Sequence, residues 1–67
     1  MKVEFTIEFK HSAKYSYVLE FAASANVRDY VKNILTQSCI VLGDFENSGI
    51  VVWESEVHCI YWKVLSE

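Results

Sequence analysis

Residues 2–10, KVEFTIEFK, alternate without a break: Val3, Phe5, Ile7 and Phe9 stand against Lys2, Glu4, Thr6, Glu8 and Lys10. Side chains of a strand point to opposite faces in turn, so this spacing predicts a strand with one buried face and one wet face. The same period returns after a short polar break at His11 to Ala13, with Tyr15, Tyr17, Leu19 and Phe21 set against Lys14, Ser16 and Glu20. The period then changes. Val27, Tyr30, Val31, Ile34 and Leu35 fall at i, i+3, i+4, i+7 and i+8, which is one stripe of a helix. Asn26 is the better candidate for its N-cap, with Ser24 the other, because Asp29 then lies in the first turn, where a carboxylate suits the helix dipole. The helix is expected to end near Gln37 or Ser38.

From Cys39 the pattern is again that of strands. Cys39 to Phe45 reads as strand three, Glu46 to Gly49 as a turn, Ile50 to Trp53 as strand four, Glu54 to Glu56 as a second reversal, and Val57 to Leu65 as strand five. The expected fold class is α+β with order β-β-α-β-β-β. It is a two-layer sandwich, an antiparallel sheet of four to five strands with one helix packed on one face, in a single domain over residues 1–67.

Sixty-seven residues with 52% hydrophobic and 15% aromatic content make a small chain with a heavy apolar load. A domain of this size buries only about 60% of the surface of its unfolded chain, so some of that load can be shared with another molecule. Phase is the key to where it lies. If Glu54 and Lys63 face water, then Ile50, Val52, Cys59 and Tyr61 share their face, and Val51, Trp53, Ile60, Trp62 and Val64 point towards the helix. One helix cannot cover both sides of a sheet. An open apolar patch of Ile50, Val52 and Tyr61 is therefore expected, and exposed contiguous apolar surface marks interfaces.

Charge is divided along the chain. Residues 1–43 carry five Lys or Arg and four Asp or Glu, a sum of +1, whereas residues 44–67 carry Lys63 against Asp44, Glu46, Glu54, Glu56 and Glu67, a sum of −4. An acidic half argues against direct nucleic-acid binding, which draws on Lys and Arg, and fits a protein partner with a basic surface. The aromatics do not change this, since the rings other than Tyr61 are assigned to the core and basic residues do not interleave with it.

No chemistry-bearing motif accompanies these elements. Cys39 and Cys59 have no CxxC spacing, and both are expected as reduced, half-buried thiols. His11 and His58 complete a Cys2His2 set by composition alone. Strict alternation sends His58 and Cys59 to opposite faces, which opposes both a tetrahedral metal site and activation of the thiol by the imidazole. Glu4, Glu8 and Glu20 share the wet face of the first hairpin beside lysines, an arrangement of ion pairs rather than a paired acid and base. The chain is thus expected to be no enzyme and to need no cofactor.

Residues 1–10 do not read as a leader, and no run approaches the ~20 apolar residues that span a bilayer, so a cytoplasmic location without membrane contact is expected. In size, α+β build and acidic loops the chain resembles small phage-borne inhibitors of host enzymes, such as anti-CRISPR proteins and phage inhibitors of RNA polymerase. No motif residue carries over. The resemblance implies a small inhibitor that occupies the basic, nucleic-acid-binding surface of a host protein, through the patch of Ile50, Val52 and Tyr61 and the carboxylates of Asp44, Glu46, Glu54 and Glu56. The alternatives are a homodimeric accessory subunit, which would bury the patch against its copy, and a sheet-based RNA-binding module.

Overall fold

The structure is a computed structural model and describes residues 1–43 and 49–66. The elements are β1 (Lys2–Phe9), β2 (Lys14–Glu20), α1 (Val27–Leu35), β3 (Cys39–Gly43), β4 (Gly49–Trp53), a single 3-10 turn (Glu54–Glu56) and β5 (Val57–Ser66). The expected order and the α+β class therefore hold. The sheet does not hold as expected: among the described residues the strands form two sheets, one of order β2-β1-β5 and one made of the β3–β4 hairpin, all antiparallel.

The alternation of β1 and β2 does its expected work. Phe5 pairs with Tyr17, Ile7 with Tyr15 and Val3 with Leu19, so these side chains share the inner face. Val3, Phe5 and Ile7 are fully buried. The connection between the strands is held by the Phe9 N–H donating to Ala13 O at 2.8 Å and the Ser12 N–H donating to Phe9 O at 2.9 Å. Ser12 takes φ 74°, a left-handed conformation that a serine accepts at some cost to close the loop.

Helix α1 starts where its cap predicts: Asn26 Oδ1 accepts from the Asp29 backbone N–H at 3.3 Å. It is short. Thr36 caps it, its hydroxyl donating to Asn33 O at 2.7 Å, and the last helical residue, Leu35, falls two to three residues before the expected stop at Gln37 or Ser38. Val27 and Val31 are buried beneath it, and Tyr30 lies 5.0 Å from Phe5 between ring centres. Phe5 also stacks on Tyr17 at 5.3 Å and meets Phe21 edge-on at 5.8 Å, so one phenylalanine ties together both strands, the connection and the helix. Such rings add about 0.5–1.5 kcal/mol per pair beyond the area they bury.

A nine-residue helix with two buried valines is too small a lid for that inner face. The β3–β4 hairpin supplies the rest. Ile40 pairs with Val52 and Leu42 with Ile50, which puts all four on one face of the hairpin. Ile40, Leu42 and Val52 are buried in the same cluster as Val3, Phe5, Ile7 and Phe9, with Ile50 packed against it. The hairpin is thus a covering layer rather than an extension of the sheet. Its lower end is pinned at the 3-10 turn, where the Glu54 N–H donates to Ser38 O at 3.0 Å and the Lys10 N–H donates to Glu56 O at 2.9 Å. Among the described residues no helix is long and apolar enough to cross a membrane.

Candidate functional site

With Ile40, Leu42, Ile50 and Val52 turned inward, the other face of the hairpin is fixed by alternation. Cys39 pairs with Trp53 and Val41 with Val51, and this face meets solvent. Val41 is 50% exposed, Val51 64% and Trp53 63%. Two β-branched residues, an indole and a thiol therefore lie in cross-strand register with no polar side chain among them. Glu54 and Glu56 follow directly on Trp53 and are exposed. Asp44, Glu46 and the expected turn around them lie outside the described residues.

The expected patch is corrected by this geometry. Val52 is 8% exposed and packs in the core, and Ile50 is half-buried. Tyr61 is exposed as expected, but on another surface: it pairs with Thr6 on the outer face of the three-stranded sheet. Ile50, Val52 and Tyr61 therefore do not meet. The error is one of phase in β4. Glu54 does not continue the strand's alternation but begins the 3-10 turn, so its exposure carries no information about Val52. In β5 the phase is as expected, with Ile60 opposite Ile7, Trp62 opposite Phe5 and Val64 opposite Val3, yet Trp62 and Val64 remain exposed at their end of the sheet.

Beside Trp53 a cleft of about 430 Å³ opens between β4 and the β1–β2 connection. Phe9, Tyr15, Ile50 and Val52 line it with apolar surface, and Lys14 and Glu56 bring opposite charges to it. The ring of His11 stacks on Phe9 at 5.6 Å between centres. Apolar face and cleft adjoin through Trp53.

The outer face of the three-stranded sheet is the wet surface that the sequence indicates. Thr6 Oγ1 and Ser16 Oγ lie 3.0 Å apart, Lys14 Nζ is 3.9 Å from Glu8 Oε2, and Lys2 pairs with Glu20 in register. One feature of this face escapes simple alternation. Cys59 pairs with Glu8, but the next register pair is Phe9 with Val57, so His58 is an extra residue in β5. Such a bulge re-aims a side chain. It brings His58 to the side of Cys59 and Glu8, contrary to the expectation that imidazole and thiol lie on opposite faces. Both cysteines are free and exposed, not half-buried.

Inside, Tyr17 and Tyr30 present their hydroxyl oxygens to each other at 3.1 Å. Burial raises both phenols above the usual tyrosine range; the shared hydrogen bond pushes Tyr17 further up and draws Tyr30 part of the way back. This pair is structural, since it closes the helix onto β2.

No protein family, curated protein or solved structure matches the chain.

Proposed function

We propose that the chain is a non-enzymatic protein-interaction module that docks through the outer face of the β3–β4 hairpin. The observation that carries this reading is the contiguous exposure of Val41, Val51 and Trp53 in a chain of 67 residues. Apolar side chains in register, with carboxylates at the border, have the make-up of an interface core and rim. Burial of the indole supplies the binding energy. Glu54 and Glu56 fit a partner that presents Lys or Arg beside an apolar strip, and their charge opposes phosphate. Where that basic surface serves nucleic acid, occupation by this module blocks it, which is the inhibitor reading.

Immobilised wild-type chain, Val51→Asp and Trp53→Ala test the assignment, with Tyr61→Ala as the control on the opposite surface. A partner retained by wild type and Tyr61→Ala and lost by both hairpin variants supports it. Retention at wild-type levels by the two hairpin variants refutes it.

A homodimer is the second reading. It is favoured by β5, whose backbone is paired on one side only among the described residues and which exposes Tyr61, Trp62, Val64 and Leu65. Sedimentation decides this: a dimer that dissociates on Trp62→Glu places the self-contact on β5, and a monomer at all concentrations removes it.

A further inference from the structure

We infer that Glu8, His58 and Cys59 form a site for a borderline divalent cation of the zinc class. A carboxylate oxygen of Glu8, a ring nitrogen of His58 and Sγ of Cys59 all lie within 4.8 Å of one another. In a tetrahedral zinc site, bonds of about 2.0–2.3 Å put neighbouring ligand atoms roughly 3.3–3.7 Å apart. The β1–β5 ladder pairs Glu8 with Cys59 and so fixes the backbone positions that carry these donors.

The bulge is what makes the set. Regular pairing would leave His58 on the inner face, and the inserted residue turns it towards the Glu8–Cys59 pair. The donor set selects the ion. One thiolate, one imidazole and one carboxylate match Zn²⁺ or Co²⁺, whereas Ca²⁺ and Mg²⁺ call for oxygen donors throughout. Charge balances as well: the ion displaces the thiol proton to solvent, and the thiolate and carboxylate then offset its two positive charges. The sheet surface is open here, so a fourth position is left for water. The inference is independent of the docking face, which lies on the other sheet.

Titration with Co²⁺, followed by thiolate-to-metal absorption in the near ultraviolet, is the test. One equivalent per chain should give the band, and Zn²⁺ should remove it. Cys59→Ser should abolish it, while His58→Ala and Glu8→Gln should weaken binding by more than the ~10-fold lower bound seen when only an outer-shell partner is lost. Cys39→Ser should leave it unchanged. A second readout uses the unaltered protein: Zn²⁺ should slow alkylation of Cys59 at least ~10-fold, with Cys39 as the internal control, read by mass spectrometry. A band that survives Cys59→Ser, one ion per two chains, or a Cys59 alkylation rate indifferent to Zn²⁺ would each overturn the site.

Discussion

Val51 and Val52 are neighbours in sequence, and opposite results are expected from placing aspartate at each. Val52 is buried beside Ile40 and Leu42, so Val52→Asp forfeits ~1.5–3 kcal/mol of apolar burial. A carboxyl group without a hydrogen-bond partner there costs a further ~1–3 kcal/mol, and more if it stays ionised. The sum, ~2.5–6 kcal/mol, is set against a total stability of ~3–10 kcal/mol for a chain of this length at about 0.05–0.15 kcal/mol per residue. Val51 is mostly exposed, so Val51→Asp costs ~0.5 kcal/mol as a surface change, plus up to ~1 kcal/mol of strand preference. Urea unfolding followed by far-ultraviolet circular dichroism measures both. At a slope near ~1 kcal/mol per M, the Val52→Asp midpoint should fall by ~2.5 M or more, or the variant should be unfolded in buffer. The Val51→Asp midpoint should fall by no more than ~1.5 M. Equal losses, or a larger loss at Val51, would refute the assignment of faces in β4.

Two further outcomes follow from the interior and from the sheet surface. Tyr17 is buried and its pKa is raised, so the folded state keeps its proton above pH ~10 while the unfolded chain releases it. The stability this provides is complete below pH ~10 and declines above it by ~1.4 kcal/mol per pH unit. Tyr17→Phe should remove that share of the slope in urea titrations at pH 10–11.5, at a neutral-pH cost of ~0.5–1.5 kcal/mol for the hydrogen bond to Tyr30; an unchanged alkaline slope would contradict the burial argument. Lys14 lies 3.9 Å from a Glu8 oxygen and competes with a cation for it. An exposed pair of this kind is worth ~0.2–1 kcal/mol, so Lys14→Gln should tighten Co²⁺ binding ~1.4- to ~5-fold, and weaker binding would speak against Glu8 as a ligand.

The parts of the fold that were legible in the sequence are those with a single unambiguous period. Val3 to Phe9 and Tyr15 to Phe21 each alternate with charged or hydroxyl residues, and the Asn26 cap precedes a clean helical stripe. Ile50-Val51-Val52-Trp53 has no such contrast. Four apolar residues in a row fit either phase, and the one polar marker beside them, Glu54, belongs to the turn. The separation into two sheets was hidden for a different reason: whether a hairpin extends a sheet or folds over it depends on how much of the inner face the helix leaves bare, and a helix of nine residues buries only Val27 and Val31 there. Composition signals an excess of apolar surface over what one helix can shelter, and Val41, Val51, Trp53, Trp62 and Val64 are exposed. Its location depends on the phase of β4, which composition does not carry. The meeting of His58 with Cys59 had no signal in the sequence, because a bulge of one residue reverses the alternation from which faces are deduced.

Docking through the hairpin depends on which of its side chains face outward, and thiol reactivity at consecutive positions measures that directly. In a background carrying Cys39→Ser and Cys59→Ser, the substitutions Val51→Cys and Val52→Cys are alkylated with iodoacetamide under native conditions and compared with the same chains in denaturant. The thiol at position 51 should react at close to its denatured rate, and the thiol at position 52 should be strongly protected. Protection at 51 with free reaction at 52 would reverse the hairpin and remove the docking face.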